Sequence, residues 1–253
     1  MRLTRLAAVA VAAVSLAACN FNGASDTSAP TAETASDAAG LSPSAFEGSL
    51  EAVGPEGAWH LSIAPEAGIA LSEVEAGVDT RAAYSQPVGM ELGVEIGSAP
   101  ITVRITPGPC TNGMSGVTYD FNVQVTRDGA PPLQGCLYRP WSSQIVALQP
   151  AIQSCLRLSP GASSISYLRA NDGGGAFMRV IGETGASLDC TIVPGGTAPQ
   201  TTAANTSLRF PGEGDVLFFA APGEQPGGEC YAAPEVKNAQ GQVIGWLADP
   251  NGC

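Results

Sequence analysis

Met90-Glu91-Leu92-Gly93-Val94-Glu95-Ile96-Gly97-Ser98-Ala99-Pro100-Ile101-Thr102-Val103-Arg104-Ile105 carries a period of two, and that period decides the fold class. In an extended chain successive side chains point to opposite faces, so Met90, Leu92, Val94 and Ile96 share one face and Glu91, Gly93 and Glu95 the other. Gly97-Ser98-Ala99-Pro100 supplies a turn, after which Ile101, Val103 and Ile105 alternate against Thr102 and Arg104. The pattern predicts a hairpin with one buried and one wet face. Upstream, Trp59, Leu61 and Ile63 alternate against Ala58, His60 and Ser62, and Ile69 and Leu71 follow a glycine turn. Downstream, Tyr119, Phe121, Val123 and Val125 continue the scheme, and Arg127-Asp128-Gly129 turns into Leu133 to Tyr138. Residues 46–138 are therefore expected to be mainly β, a small antiparallel barrel or sandwich.

A helical period enters at Ser142 to Arg157, where Ile145, Leu148, Ile152, Cys155 and Leu156 fall on one face. Pro150 forbids one continuous helix, so the stretch predicts a kink or a second helix with Pro150 in its first turn, ended by Gly161. Strands are expected over Ser163 to Arg169, Ala176 to Ile181 and Ser187 to Val193. After a polar linker, Pro194 to Thr206, four more are expected over Leu208 to Phe210, Val216 to Ala220, Glu229 to Val236 and Gln242 to Leu247. Residues 139–253 thus read as an α+β domain, a helix on an antiparallel sheet.

Before these regions, Arg2 and Arg5 precede the apolar run Leu6 to Leu16, which is too short to span a bilayer as a permanent helix and has the form of a signal peptide over residues 1–18. Leu16-Ala17-Ala18-Cys19 at its end resembles the bacterial lipobox. The resemblance implies cleavage before Cys19, acylation of its thiol and, with Asn20 rather than Asp next, transfer to the outer membrane facing the periplasm. Residues 19–45 are rich in Ser, Thr, Ala, Pro and Gly with few large apolar groups, so they predict a disordered tether behind the lipidated cysteine.

The full chain of 253 residues has 11 basic and 23 acidic side chains; removing Arg2 and Arg5 with the signal leaves nine basic groups, a balance of −14. Such a charge repels phosphate backbones and disfavours nucleic acid, while favouring encounter with basic envelope proteins. Lys237 is the only lysine and the arginines are scattered singly, so the sequence offers no basic patch for anionic lipid and leaves the acyl group as the membrane link. With Cys19 assigned to lipid, six cysteines remain in an exported chain and read as disulfides. Six allow 15 pairings. Sequential pairing is favoured by position: Cys110 and Cys136 flank one hairpin, Cys155 and Cys190 bracket the helix and two strands, and Cys230 and Cys253 bracket the C-terminal strands. No C-x-x-C or His spacing suits a metal, and no cofactor is expected.

His60 is the only histidine; on strand alternation it shares the polar face, no serine sits in a nucleophile elbow, and it reads as a surface residue. The Asp172-Gly173-Gly174-Gly175 run lacks the lysine and helix of a phosphate loop and reads as a turn. Glu73 with Glu75, and Glu213 with Asp215, lack calcium-loop spacing and read as solvated charge. Trp59, Trp141 and Trp246 are expected to serve packing.

Gly54-Pro55-Glu56-Gly57-Ala58-Trp59 and, later, Cys110-Thr111-Asn112-Gly113-Met114-Ser115 with Tyr119 and Gly135-Cys136 resemble a family of uncharacterised bacterial envelope lipoproteins. That family's domain opens with G-x-E-P-F-W and closes with C-x-D-G-M-S, an aromatic strand and G-C; it is more distantly similar to META-domain heat-shock lipoproteins. The resemblance spans roughly residues 46–138, and it departs where Gly57-Ala58 replaces Pro-Phe, Asn112 replaces Asp and Asp120 follows Tyr119 in place of proline. Taken together, the sequence leads to the expectation of a lipid-anchored, non-catalytic binding or envelope-maintenance module. An inhibitor of a cell-wall hydrolase of the lysozyme-inhibitor type is the alternative, and a carboxylate-dependent hydrolase comes last.

Overall fold

The computed structural model describes residues 42–113, 116–171, 173–195, 198–223, 225–227 and 233–250. Cys19, Met114, Ser115, Asp172, Cys230 and Cys253 lie outside the described residues, as do the signal and most of the expected tether. The first described element, a 3-10 turn at Pro43–Phe46, lies at the end of that expected tether, and its Phe46 is buried.

The chain is mostly β. Strands β1 (Leu50–Val53), β2 (Trp59–Ala64), β3 (Gly68–Glu73), β4 (Val78–Ala82), β5 (Val88–Met90), β6 (Gly93–Ser98), β7 (Ile101–Thr111), β8 (Thr118–Arg127) and β9 (Ala130–Tyr138) form one sheet. Its order is β4-β3-β2-β1-β9-β8-β7-β6-β5, antiparallel throughout, so two consecutive meanders are joined where β1 pairs with β9. The sheet curls around its own apolar face, with Leu61, Ile63, Val94, Ile96, Val103, Ile105, Val123 and Leu137 in a single cluster. At the closing side the Gly97 N–H donates to Ser85 Oγ at 2.7 Å, joining β6 to the segment after β4.

The opening stretch departs from its expected phase at one place. Met90 and Leu92 are exposed, because the chain turns at Glu91-Leu92 and β5 pairs back on β6, Met90 opposite Gly93. At Gly93 a Cβ would run into the Ile105 carbonyl oxygen, so only glycine lets β6 start this close to β7. From Val94 onward the alternation holds, and Val94, Ile96, Ile101, Val103 and Ile105 are all buried.

The second sheet, in the order β13-β12-β11-β10-β14-β16-β15, contains β10 (Ala162–Asn171), β11 (Gly175–Gly182), β12 (Ser187–Ile192), β13 (Gln200–Ala203), β14 (Leu217–Ala220), β15 (Glu235–Lys237) and β16 (Val243–Ala248). Helix α1 (Gln149–Leu158) has Pro150 in its first turn, where the missing N–H costs nothing. Upstream of it, only a 3-10 turn at Trp141–Gln144 forms. Among the described residues this ten-residue α-helix is the whole α contribution, so the region is mainly β rather than evenly α+β. Pro150 is the reason: its ring blocks continuation from Ser142. Two other expectations change. β13 lies inside the expected linker and pairs with β12, whereas Leu208 to Phe210, expected as a strand, are loop.

Among the described residues two disulfides are formed, Cys110–Cys136 and Cys155–Cys190, with Cα separations of 5.5 and 6.0 Å. The second ties α1 to β12, and Ile152 and Cys155 share a cluster with Met178 and Cys190. Among the described residues no helix is long and apolar enough to cross a membrane.

Candidate functional site

The loop from Asn205 to Val216, between β13 and β14, builds the seam between the two sheets. Its anchor is Arg179 on β11, paired directly across the ladder with Asp189 of β12. Arg179 is 2 % exposed. Its Nε and Nη2 donate to the two Asp189 carboxylate oxygens at 2.8 and 3.1 Å, and Nη1 donates to Glu213 Oε1 at 2.8 Å. The remaining N–H groups hold the Leu208 and Asn205 carbonyls. Glu213 Oε2 in turn accepts from the Phe210 N–H at 3.0 Å. A guanidinium offers its donors in a fixed fork, so this one side chain fixes both ends of the loop. Hydrogen bonding to Asp189 raises its pKa first and Glu213 adds to the effect, while burial opposes it.

The same loop reaches the first sheet. Gly212, at φ 71°, lies so close to Tyr138 that a Cβ would sit 2.7 Å from its ring. The Gly212 carbonyl accepts from Trp141 Nε1 at 2.9 Å, and Tyr138 donates its hydroxyl to Asp215 Oδ2 at 2.8 Å. Burial first, then Asp215, raises the Tyr138 pKa well above its ordinary value, so the phenol remains a donor. Glu213 and Asp215, expected as solvated loop charge, are therefore the loop's fastenings. Likewise Glu73 is ion-paired with Arg127.

On one side of Tyr138 and Trp141 lies a pocket of about 260 Å³ that includes Glu51, His60 and Asp215. Glu51 faces Tyr138 on β9 and Ser62 on β2, so all three share the outer face of the first sheet. His60 Nε2 stands 3.0 Å from Glu51 Oε2, and Ser62 Oγ donates to Glu51 Oε1 at 3.1 Å. Contact with Glu51 raises the His60 pKa, partly opposed by burial and aided by the Glu51 and Asp215 charges. His60 is half-exposed, as strand alternation predicts. The carboxylate sits between serine and imidazole, so the histidine does not hold the Ser62 hydroxyl and nucleophile activation has no path here.

On the other side opens a larger cleft of about 870 Å³, with β8, β9 and the Trp141 turn on one wall and β10 and the loop on the other. Arg139, Arg169 and Arg209 line it with Asp120, Asn171 and Gln144. The Arg139 guanidinium lies 5.2 Å from the Phe46 ring centroid and 5.7 Å from that of Phe121, and Nη2 donates to the Ala45 carbonyl at 2.7 Å. Arg169 lies over Phe177 and Phe210, and Phe210 stacks on Tyr167 with centroids 4.5 Å apart and planes 11° from parallel. None of the three arginines forms an ion pair with a described carboxylate, whereas Arg104, Arg127, Arg179 and Lys237 all do. The sequence reading of singly scattered arginines is corrected here: positions 139, 169 and 209 are far apart in the chain and meet only across the seam.

No family model, curated protein or solved structure matches the chain.

Of the motif residues quoted for the lipoprotein resemblance, the described Gly54, Pro55, Cys110, Thr111, Asn112, Gly135 and Cys136 gather at a separate corner of the first sheet. Asn112 Nδ2 reaches the Gly54 carbonyl at 3.4 Å, and Gly54, Cys110 and Gly135 line a small pocket of about 200 Å³. At both Gly54 and Gly135 a Cβ would strike the Trp59 ring. Trp59 is 3 % exposed, so Gly54 and Gly135 make room for its indole in the core of the first sheet, while the Cys110–Cys136 bridge belongs to a separate cluster with Tyr119 and Tyr138. Trp141 is buried as well, while Trp246 is half-buried. Among the described residues no three His, Cys, Asp or Glu side chains gather as a metal site.

Proposed function

We propose that the protein is a non-catalytic binding module of the bacterial envelope that recognises its ligand in the cleft between the two sheets. The observation that carries this reading is the convergence of Arg139, Arg169 and Arg209, without carboxylate partners among the described residues, in a chain whose formal charge is −12. Positive charge held against the net field of a protein, on rings that fix its orientation, suits recognition. The Ser62, Glu51 and His60 order gives a serine-nucleophile reading no support.

Anchoring by an acylated Cys19 on the outer membrane, facing the periplasm, belongs to the same reading, as do the lipoprotein family likeness and a Cys230–Cys253 bond. So do a barrel-like first domain (46–138), an α+β second domain (139–253) and a tether over residues 19–45 with a reach of about 25 to 30 Å. A module held at one surface gains local concentration and needs no turnover. The net acidity keeps a basic envelope protein as a partner for the outer surface, the wall-hydrolase inhibitor being its specific form.

Affinity capture from envelope extract tests the binding reading. Arg169→Gln is expected to strip partners that the unsubstituted protein retains, and raised salt to weaken them. Capture indifferent to Arg169 and to salt overturns it. For the anchor, Cys19→Ser is expected to move the protein from the detergent phase to the soluble periplasm; its retention with detergent overturns the lipobox reading.

A further inference from the structure

We infer that the cleft takes a carboxylate-bearing glycan; this rests on the binding reading above and specifies its ligand. A guanidinium laid on an aromatic ring keeps its plane fixed and turns its N–H edges outward, the geometry that grips a planar oxyanion through two parallel bonds. Arg169 over Phe177 and Phe210 provides this on one wall, while on the other Arg139, over Phe46 and Phe121, commits its Nε and Nη2 to the Ala45 carbonyl and brings its charge and its Nη1 to the cleft. Arg209 joins them from the loop that Arg179 fixes. The cationic groups are thus spread along both walls of about 870 Å³ rather than clustered at a point, which suits an elongated ligand with several charges.

The other polar groups decide between ligand classes. Asp120, Asn171 and Gln144 bring one carboxylate and two amides, planar groups that pair with hydroxyls. The acceptor-only carboxylate of Asp120 repels a uniformly anionic ligand and favours one that alternates hydroxyl donors with acid groups. An extended acidic peptide would bind by adding its backbone to a sheet edge. Beyond its single pairing with β14 at Ile165, the β10 edge is taken up by the Gly214 N–H on the Ser166 carbonyl and by Gln144 Oε1 on the Ala170 N–H, which leaves an added peptide strand little to pair with there.

Titration calorimetry of the purified full-length protein is the test, with an oligogalacturonate tetramer, its carboxyl-reduced neutral counterpart, a tetraglutamate peptide and inorganic phosphate as probes. Oligogalacturonate is expected to bind, and carboxyl reduction to weaken binding by about tenfold or more, the size of one charge-assisted hydrogen bond. Arg169→Gln and Arg209→Gln, both at exposed positions, are expected to weaken it by about tenfold each with unchanged thermal unfolding. Equal affinity for the neutral tetramer, for tetraglutamate or for phosphate overturns the glycan assignment, as does indifference to both substitutions. If oligogalacturonate fails to bind while Arg169→Gln still strips envelope partners, the glycan assignment falls and the binding reading stands. If neither responds, both fall.

Discussion

The two sheets are held together by different means. In the first, each strand except at the β1–β9 closure pairs with its neighbour in sequence, and the apolar face of the curl meets itself. In the second, β10 must find β14 across the long excursion through β11, β12, β13 and the seam loop, with Ile165 opposite Phe218. The fastenings there hold the parts that lie outside the strand ladder: Cys155–Cys190 ties the helix down, and Arg179 with Asp189 and Glu213 ties the loop. Local hairpins are specified by alternation, whereas a non-local pairing costs loop-closure entropy that a tied-down loop offsets.

The strongest way to break the contrast is Arg179→Met. It leaves Asp189 and Glu213 facing each other half-buried without their cation, and the loss is expected to be about 3 to 5 kcal/mol, read from denaturant midpoints. The second sheet should unfold first, with protection from hydrogen exchange retained in β7 and β8. A loss under about 1 kcal/mol would mean that the loop holds itself.

Removing the disulfides sharpens the same contrast. By chain entropy, spans of 26 and 35 residues are worth about 3.5 and 3.8 kcal/mol at 25 °C, nearly equal. Paired substitution to alanine at Cys155 and Cys190 is expected to loosen α1 locally, while the pair at Cys110 and Cys136 should lower global stability with the sheet order intact. Exchange profiles that do not differ between the two variants would contradict the contrast.

Gly135→Ala probes the first sheet, where a Cβ meets the Val53 carbonyl oxygen and the Trp59 ring. Overpacking against backbone is expected to cost about 2 to 3 kcal/mol and to change Trp fluorescence. An unchanged melting curve would show that the Trp59 corner has room to yield.

A smaller effect is expected at the seam for Tyr138→Phe. It removes the hydrogen bond to Asp215, which can regain water, so a loss of about 1 kcal/mol should follow, with the cleft variants' ligand affinity falling as the loop shifts.

The smallest is the pH dependence of His60. Its folded pKa is raised by Glu51, so its contribution is complete below the unfolded value of about 6.5 and is lost as pH rises through the folded value. The pair is half-exposed, which limits it to a few tenths of a kcal/mol. His60→Gln should flatten the pH dependence of stability above about 6.5; a slope that survives the substitution points to another group.

Much of this was legible from residues alone. The period of two at Trp59 to Ile63 and Val94 to Ile105 specified strands and their buried faces, because a strand's faces are fixed by its own alternation. Pro150 marked a kink or a new helix start, because proline lacks the donor a helix interior requires, and the second outcome is the one α1 takes. The hairpin at Glu91-Leu92 was hidden, since apolar residues at 90 and 92 mimic an uninterrupted strand and only the approach of Gly93 to Ile105 breaks it. The cleft was hidden for a deeper reason. Arg139, Arg169 and Arg209 carry no shared local pattern, Asp189 and Glu213 give no sign that they will enclose Arg179, and Asp215 none that it will meet Tyr138. Local periodicity is set by backbone geometry within a few residues, and so alternation was enough to read most strands and their inward faces, while Pro150 left a kink or a new helix start as the two outcomes. Which charged side chains meet depends on how the two sheets pack and where the Asn205 to Val216 loop crosses between them, and only the tertiary structure decided that.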